Sequence, residues 1–561
     1  ASPFGPSSQG WRISEVQDAK AKANAETSNG EADETVICHV AADGFEERMV
    51  PFPVPSGSYR DLAVVKDGVV WIEVADRGGE LGATRAGVTG EAPSDVLWHY
   101  NLSARHLDKL CERVDTFSVS GDGERLVVRH RDDTIVVPSS HKVDDDDPAY
   151  IRVDLTRLRR TVNPRAEWRQ MFDENGRLMA SHYWREDMNG VDWDSVLNRY
   201  RPLVDLCHVV DDLHDILWET VAELNTSHSY VSASGAAGDS DMRAGLLGAD
   251  VSSGNDGAKV VRVIPGESSD PRAWSPLRAA GVAVTEGDVI VAVDGRKVGA
   301  DGNLGELLEG SAGRVVELTV RRGENERQVA VVPMADEAPL RYHDWVASRR
   351  RYVEEHSGGR LGYLHVPDMV SDGWAELHRQ IGEATRHEGV IADVRFNHGG
   401  HTSQLVVERL ARRVVGWDYS RWYATADTYP QNAVRGPIVM VTNQWAGSDG
   451  DIVAAATQAM GYAKVIGERS WGGVVGIDGR FDLVDGTSVT QPRYAGWYGS
   501  YGWGVENHGV DPDIVVTVSP EDWEADCDVQ LDAAIAECLR QLDDKPAATA
   551  PELPGPAFDR C

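Results

Sequence analysis

The sequence predicts a multidomain α+β protein, and three observations predict it. Its 561 residues suffice for roughly three or four domains. Its hydrophobic period changes three times along the chain, from strand-like alternation to helical spacing, to short strands, and then to strands alternating with helices. Its composition, 41% hydrophobic and 26% charged, is that of ordinary folded protein.

Residues 1–155 read as strands separated by turns. VKDGVVWIEV (65–74), VLWHYNL (96–102), VDTFSVSGDG (114–123) and ERLVVRHRDDTIVV (124–137) carry β-branched runs around DG and DD turns. Four-stranded units at this spacing suggest the C-terminal blades of an incomplete β-propeller. The polar, Ala-rich stretch 16–34 has no core face and is expected to be a mobile insertion.

Helical spacing takes over in 156–240. Apolar residues recur at three- and four-residue intervals in 164–184 and 212–224, as in amphipathic helices, and Asp192 stands where a helix cap belongs. This small helical domain ends at NTSHSY (225–230). Residues 241–336 return to short strands, in an order that resembles a PDZ domain. In that reading GLLG (245–248) is the loop whose backbone N–H groups capture a peptide C-terminal carboxylate.

Residues 337–545 alternate strand and helix, which predicts an α/β core with its site beyond the carboxyl ends of strands. The Pro- and Ala-rich tail 546–561 is expected to be disordered.

Charge and cysteine usage exclude several functions. A formal net charge of −34 opposes binding to nucleic acid or an anionic membrane. No apolar run approaches the roughly 20 residues of a membrane helix, and the first residues lack a signal-peptide core. The chain also lacks an initiator Met, which suggests a fragment of something longer. Six scattered Cys with no CxxC pair fit reduced cytoplasmic thiols and give no zinc framework.

Chemistry concentrates in two segments. In GPIVMVTNQWAGSDGDIVAAATQAMG (436–461) a buried-type strand runs through a Gly-containing turn to Ser448 and then a helix. Free amides at a helix start can stabilise an oxyanion, although Ser before a helix is also the usual N-cap. In DVRFNHGG (393–400) a strand ends in a Gly pair that permits close backbone approach to a ligand. If neighbouring strands carry the two segments, the amides of Gly400 and Asp449 can face one reacting carbonyl.

Together these segments resemble the superfamily of tricorn and C-terminal processing peptidases, and the PDZ-like insert before them fits it. The resemblance covers nearly the whole chain. Processing peptidases take their base from a lysine about 25 residues beyond the nucleophile, where SWGGV (470–474) puts Gly473. The tricorn branch uses histidine. NTSHSY resembles its Ser-His pair, carried over as Ser227 and His228, and GVENHGVDPD (504–513) resembles the segment of its glutamate, carried over as Glu506. His401 and His508 are the rival bases.

The resemblance implies a serine peptidase in which Ser448 attacks, His228 takes its proton, and Ser227 and Glu506 orient the histidine. Asp418, in VGWDYSRW (415–422), matches an acid that favours Lys or Arg before the cut. The family further implies a cytoplasmic hexamer cutting short unfolded peptides, such as proteasome products, in functional linkage with aminopeptidases. No metal or cofactor is expected. Two alternatives stand beside this reading: a Ser/Lys processing peptidase, and a non-catalytic peptide-binding scaffold.

Overall fold

The computed structural model describes residues 52, 54–75, 94–131, 133–159, 161–233, 242–299, 303–478 and 481–553. The expected insertion at 16–34 lies outside them. The described residues divide into two compact units at Arg160 and Thr161.

The first unit is two antiparallel four-stranded meanders. One holds β1 (Tyr59–Val65), β2 (Gly68–Glu73), β3 (Val96–Asn101) and β4 (His106–Glu112). The other holds β5 (Thr116–Val119), β6 (Arg125–His130), β7 (Asp133–Pro138) and β8 (Ile151–Val153). Alternate residues of both sheets, among them Val70, Ile72, Leu97, Leu126 and Val128, bury one shared core.

The second unit begins with α1 (Pro164–His182), α2 (Trp193–Val204) and α3 (Val210–Ala222). Asn163 and Asp192 cap the first two, accepting from Ala166 N and Ser195 N. Their apolar faces meet around Phe172, Met179, Leu213 and Leu217, and the same core takes in Leu483 and Val489 from far along the chain. There the strand β9 (Val231–Ser232) pairs with Ser488–Val489. The helical core is therefore completed by residues from within 337–545.

A six-stranded sheet follows, formed by β10 (Ala249–Gly254), β11 (Gly257–Val263), β12 (Val289–Val293), β13 (Arg296–Lys297), β14 (Val316–Arg322) and β15 (Asn325–Val331). Its GLLG loop is engaged from within the chain. Gly245 N donates to Leu308 O, Leu246 N to Met334 O, and Gly248 N to the Glu337 carboxylate. Three of the four loop amides expected to hold a peptide carboxylate are thus already bonded. Leu308 takes the first of these amides, and the segment 333–337, which folds back across the loop, takes the other two.

The last layer is a parallel five-stranded sheet in the order β16 (Leu361–His365), β17 (Gly389–Asp393), β20 (Ile438–Thr442), β21 (Ala463–Gly467) and β25 (Ile514–Val515). Small ribbons branch from it: β18 (Gly416–Asp418) with β19 (Asp427–Tyr429), and β22 (Gly476–Asp478) with β24 (Gln491–Tyr494), β23 being Ser488–Val489. A long helix, α4 (Ala338–His356), leads in. The crossovers α5 (Ser371–Ala384), α6 (Ser403–Leu410) and α7 (Asp449–Met460) share one core with Val390, Ala392, Ile438 and Met440.

Residues of opposite parity, Tyr363, Ile391, Val439 and Val441, pack on the other face with α4 and α8 (Val529–Asp544). Strands taken up in chain order, joined by right-handed crossovers, put the intervening helices on one face. Fully buried strands explain the unbroken apolar runs.

Beyond α8 the tail is not free through 553. Ala548 N donates to Arg435 O at 2.9 Å, and the Tyr419 hydroxyl donates to Pro551 O. Backbone pairing substitutes for the apolar core that the tail lacks. Residues 554–561 lie outside the described residues.

Candidate active site

β17 and β20 are adjacent and parallel, so the loops leaving their carboxyl ends are neighbours. Two bonds fasten those loops together, and a third shapes the first of them. Gly447 N donates to Asn397 O at 3.0 Å, Phe396 N to Asn443 Oδ1 at 3.0 Å, and Gly399 N to Asn397 Oδ1 at 2.9 Å. Beneath them the buried Arg395 guanidinium bridges Asp393 at 2.7 Å and Asp528 at 2.8 Å, an arrangement that keeps it charged.

Ser448 closes the second loop with φ 58° and ψ −119°. For a non-glycine residue this conformation costs about 1–3 kcal/mol and persists where the surroundings impose it. Its hydroxyl makes no capping bond, so the N-cap explanation for this serine fails. A Cβ on Gly399 would lie 2.5 Å from Ser448 Cβ, so only glycine fits beside it. At Gly400, with φ 147°, a Cβ would lie 2.1 Å from Met369 O. Among the described residues the amides of Gly400 and Asp449 have no hydrogen-bond partner.

Ser227, His228 and Glu506 meet although 278 residues separate the last two. Ser227 Oγ lies 3.0 Å from His228 Nδ1 and donates to Glu506 Oε2 at 3.0 Å, while Ser227 N donates to Glu506 Oε1 at 2.7 Å. A hydroxyl has one proton. Because Ser227 gives it to the carboxylate, it can only accept from Nδ1–H, which leaves Nε2 of a neutral ring as the basic nitrogen. Glu506 is held in turn by the amides of Val474 at 2.8 Å and Val475 at 3.1 Å. Burial lowers the His228 pKa below its ordinary value, against the opposing pull of the Glu506 charge and the Val475 backbone.

Trp471 ties the two groups together. Its indole meets the His228 ring edge-on at 5.5 Å, and a Cβ on Gly447, the residue before Ser448, would touch it at 2.7 Å. Among the described residues no hydrogen bond joins Ser448 to His228. Of the rival histidines, His508 is exposed and bonded to Asp511 at 2.8 Å, and His401 is exposed. At Gly473 a Cβ would lie 2.2 Å from the Trp471 ring, so the indole fills the space a lysine would need.

Asp418 is exposed on the β18–β19 ribbon, opposite Asp427. Sequence reasoning passed over Gly399, Trp471, the Val474 and Val475 amides, and Asp451. The DGD spacing does put Asp451 one turn into the helix, but an acid there reads as a dipole charge.

Family models place this geometry in context. Residues 164–222 match the tricorn protease C1 domain, 245–336 the tricorn protease PDZ domain, and 360–516 peptidase family S41. Tricorn protease homolog 1 of Streptomyces coelicolor is 54% identical over 517 residues, covering 91% of this chain and 48% of that protein. The chain belongs to the tricorn protease family.

The tricorn protease of Thermoplasma acidophilum is 34% identical over 497 residues, covering 88% of this chain and 46% of that protein. A crystal structure of the tricorn protease superposes with a TM-score of 0.80 at 31% identity, covering 93% of this chain and 50% of that one. The chain thus spans about half the length of the tricorn relatives it matches. Among the described residues no helix is long and apolar enough to cross a membrane, and no group of three or more His, Cys, Asp or Glu could hold a metal ion.

Proposed function

We propose that this chain is a serine endopeptidase that hydrolyses short unfolded peptides through an acyl-enzyme. The observation that carries the reading is the Ser227 hydroxyl, 3.0 Å from His228 Nδ1 and 3.0 Å from Glu506 Oε2, with Trp471 packed both on His228 and on the glycine before the strained, uncapped Ser448. In this reading Ser448 Oγ attacks the peptide carbonyl carbon while His228 Nε2 takes its proton. The oxyanion forms between the amides of Gly400 and Asp449. Collapse breaks the C–N bond, and His228 returns the proton to the leaving amine. Water then attacks the ester with the same base, releasing acid and regenerating Ser448. Ser227 and Glu506 keep Nδ1 protonated and stabilise the imidazolium.

Asp418 is proposed to select Lys or Arg before the cut. It and Asp427 put two carboxylates opposite each other, and among the described residues neither forms an ion pair. The two four-stranded meanders are proposed as propeller blades. The assembly is proposed as a cytoplasmic hexamer that takes peptides of the kind a proteasome releases and shares them with aminopeptidases. A fluorophosphonate probe tests the core of the reading: it should label the wild-type chain at Ser448 and leave Ser448→Ala unlabelled, and equal labelling of both would end it.

A further inference from the structure

Asp451 lies three residues after Ser448 and is fully buried. An acid in a first helical turn ordinarily faces solvent and complements the helix dipole. Here the carboxylate is bonded to the backbone of Ser448 at its own N-cap and reaches on to a neighbouring loop. Oδ1 accepts from the Ser470 hydroxyl and from Gly472 N at 2.8 Å, and Oδ2 accepts from Gly473 N at 3.3 Å. The Ser470 hydroxyl accepts in turn from Val510 N at 2.8 Å, and Ser470 N donates to Val510 O at 3.1 Å. One carboxylate thereby joins three segments: the start of α7, the loop 470–473, and the loop 505–510.

What those segments carry gives the node its meaning. The first carries Ser448. The second carries Trp471, against His228 and Gly447, and leads into the Val474 and Val475 amides that hold Glu506. The third carries Glu506 itself, and Asn507 N binds back to Gly472 O at 2.7 Å. A shift of the 470–473 loop would move the indole and the glutamate's donors together.

We propose that Asp451 is the positioning residue of this site, holding Trp471 and the Glu506-binding amides in register with Ser448. The proposal rests on the reading of Ser448 and His228 as nucleophile and base. Every group bonded to Asp451 donates, so the arrangement requires the carboxylate in its charged form. Among the described residues no Arg or Lys pairs with it. The titratable group facing it is Tyr498, whose phenol burial and the charges of Asp449 and Asp451 push up to about 12. Burial raises Asp451 itself to about 6. A proton on either His228 or Asp451 therefore disables the site on the acid side.

The test is the pH profile of kcat/KM for a fluorogenic peptide, measured on the full chain and on Asp451→Asn, Ser470→Ala and Ser448→Ala. The wild-type acid limb should steepen toward a slope of two at the pH where both groups are protonated. Asp451→Asn should lower kcat on the order of 10²-fold, the effect of a small misplacement of reacting groups, with KM little changed and an acid limb of slope one. Ser470→Ala removes a donor to the charged carboxylate, so its acid limb should move to higher pH. A variant carrying both Asp451→Asn and Ser470→Ala should be no worse than Asp451→Asn alone, as for groups acting as one unit.

An unchanged kcat and a slope of two in Asp451→Asn would overturn the proposal while leaving the peptidase reading intact. Should Asp451→Asn not fold, an unmoved acid limb in Ser470→Ala overturns it equally. Hydrolysis surviving in Ser448→Ala would instead remove the reading on which the proposal rests.

Discussion

The Asp449 carboxylate clasps Ser403 at the start of α6, Oδ2 accepting from its amide at 3.0 Å and Oδ1 from its hydroxyl at 2.8 Å. Ser403 follows Gly400 by three residues, and Asp449 follows Ser448 directly. The side chain of one proposed oxyanion donor thus braces the loop that carries the other. Ser403→Ala keeps the amide bond and loses the hydroxyl bond, leaving a buried carboxylate oxygen short of a donor. Stability should fall by about 1–3 kcal/mol. The rate should fall by roughly tenfold, with KM little changed, if the loop relaxes by a comparable 1.4 kcal/mol. Thermal denaturation and steady-state kinetics read the two effects separately.

Much of this site was legible in the chain, and the missing parts share a cause. Ser448 and Gly400 announced themselves because a strand, a glycine turn and a helix follow one another locally. Ser227, His228 and Glu506 came through resemblance, since no periodicity links residues so far apart. Asp451 stayed hidden because its partners, Ser470 and Gly473, lie beyond a whole strand, and first-turn acids are common. Leu483 and Val489 read as part of the α/β region, yet their apolar side chains complete the helical core. The strand β4 was missed because HLDKLCE alternates poorly, and its register comes from pairing with β3. Long-range pairing is what a one-dimensional pattern records least.

Gly473 offers a direct test of why histidine serves here. A lysine at 473 would project its Cβ into the Trp471 ring, 2.2 Å away. In a His228→Ala background, Gly473→Lys should therefore fail to restore hydrolysis. It should also lower Tm, because overpacking typically costs about 1–3 kcal/mol. Recovered turnover would show that the indole yields and that the site can run on an amine.

Acid should affect both activity and stability through His228. Its folded pKa lies below the ordinary value of 6.5 because burial disfavours the imidazolium. The unfolded chain therefore binds the proton more tightly, and stability must rise with pH across the interval between the two values. The contribution is complete above about 6.5 and is lost as pH falls through the lower folded value. His228→Gln should remove this segment from a plot of unfolding free energy against pH, which urea titrations at several pH values would record.

Asp418 is the least anchored of the proposed roles and the easiest to try. Asp418→Asn should lower kcat/KM for peptides with Lys or Arg before the cut while sparing those with apolar residues there. An ion pair that remains partly solvated predicts a change of no more than about 1 kcal/mol, or roughly fivefold. Equal effects on both substrate classes would return Asp418 to the surface of its ribbon.

The Ser227 bridge makes a prediction that a three-member triad does not. Where the acid touches histidine directly, removing a neighbouring serine leaves the acid in place. Here, among the described residues, Ser227 alone connects His228 Nδ1 to Glu506, at 3.0 Å on each side. Ser227→Ala should therefore reduce kcat strongly without abolishing it, because the oxyanion amides and His228 remain. Glu506→Gln should act in the same direction, and for a second reason: with its carbonyl oxygen on the Val474 and Val475 amides, its NH2 faces the Ser227 amide and cannot accept from it. The double variant should lose far less than the product of the two single losses, since either change breaks the same chain. KM should stay near the wild-type value throughout, as neither side chain is proposed to touch the peptide. Fully multiplicative losses in kcat would show that Ser227 and Glu506 act independently, and Ser227→Ala with wild-type turnover would leave the bridge without a role in catalysis.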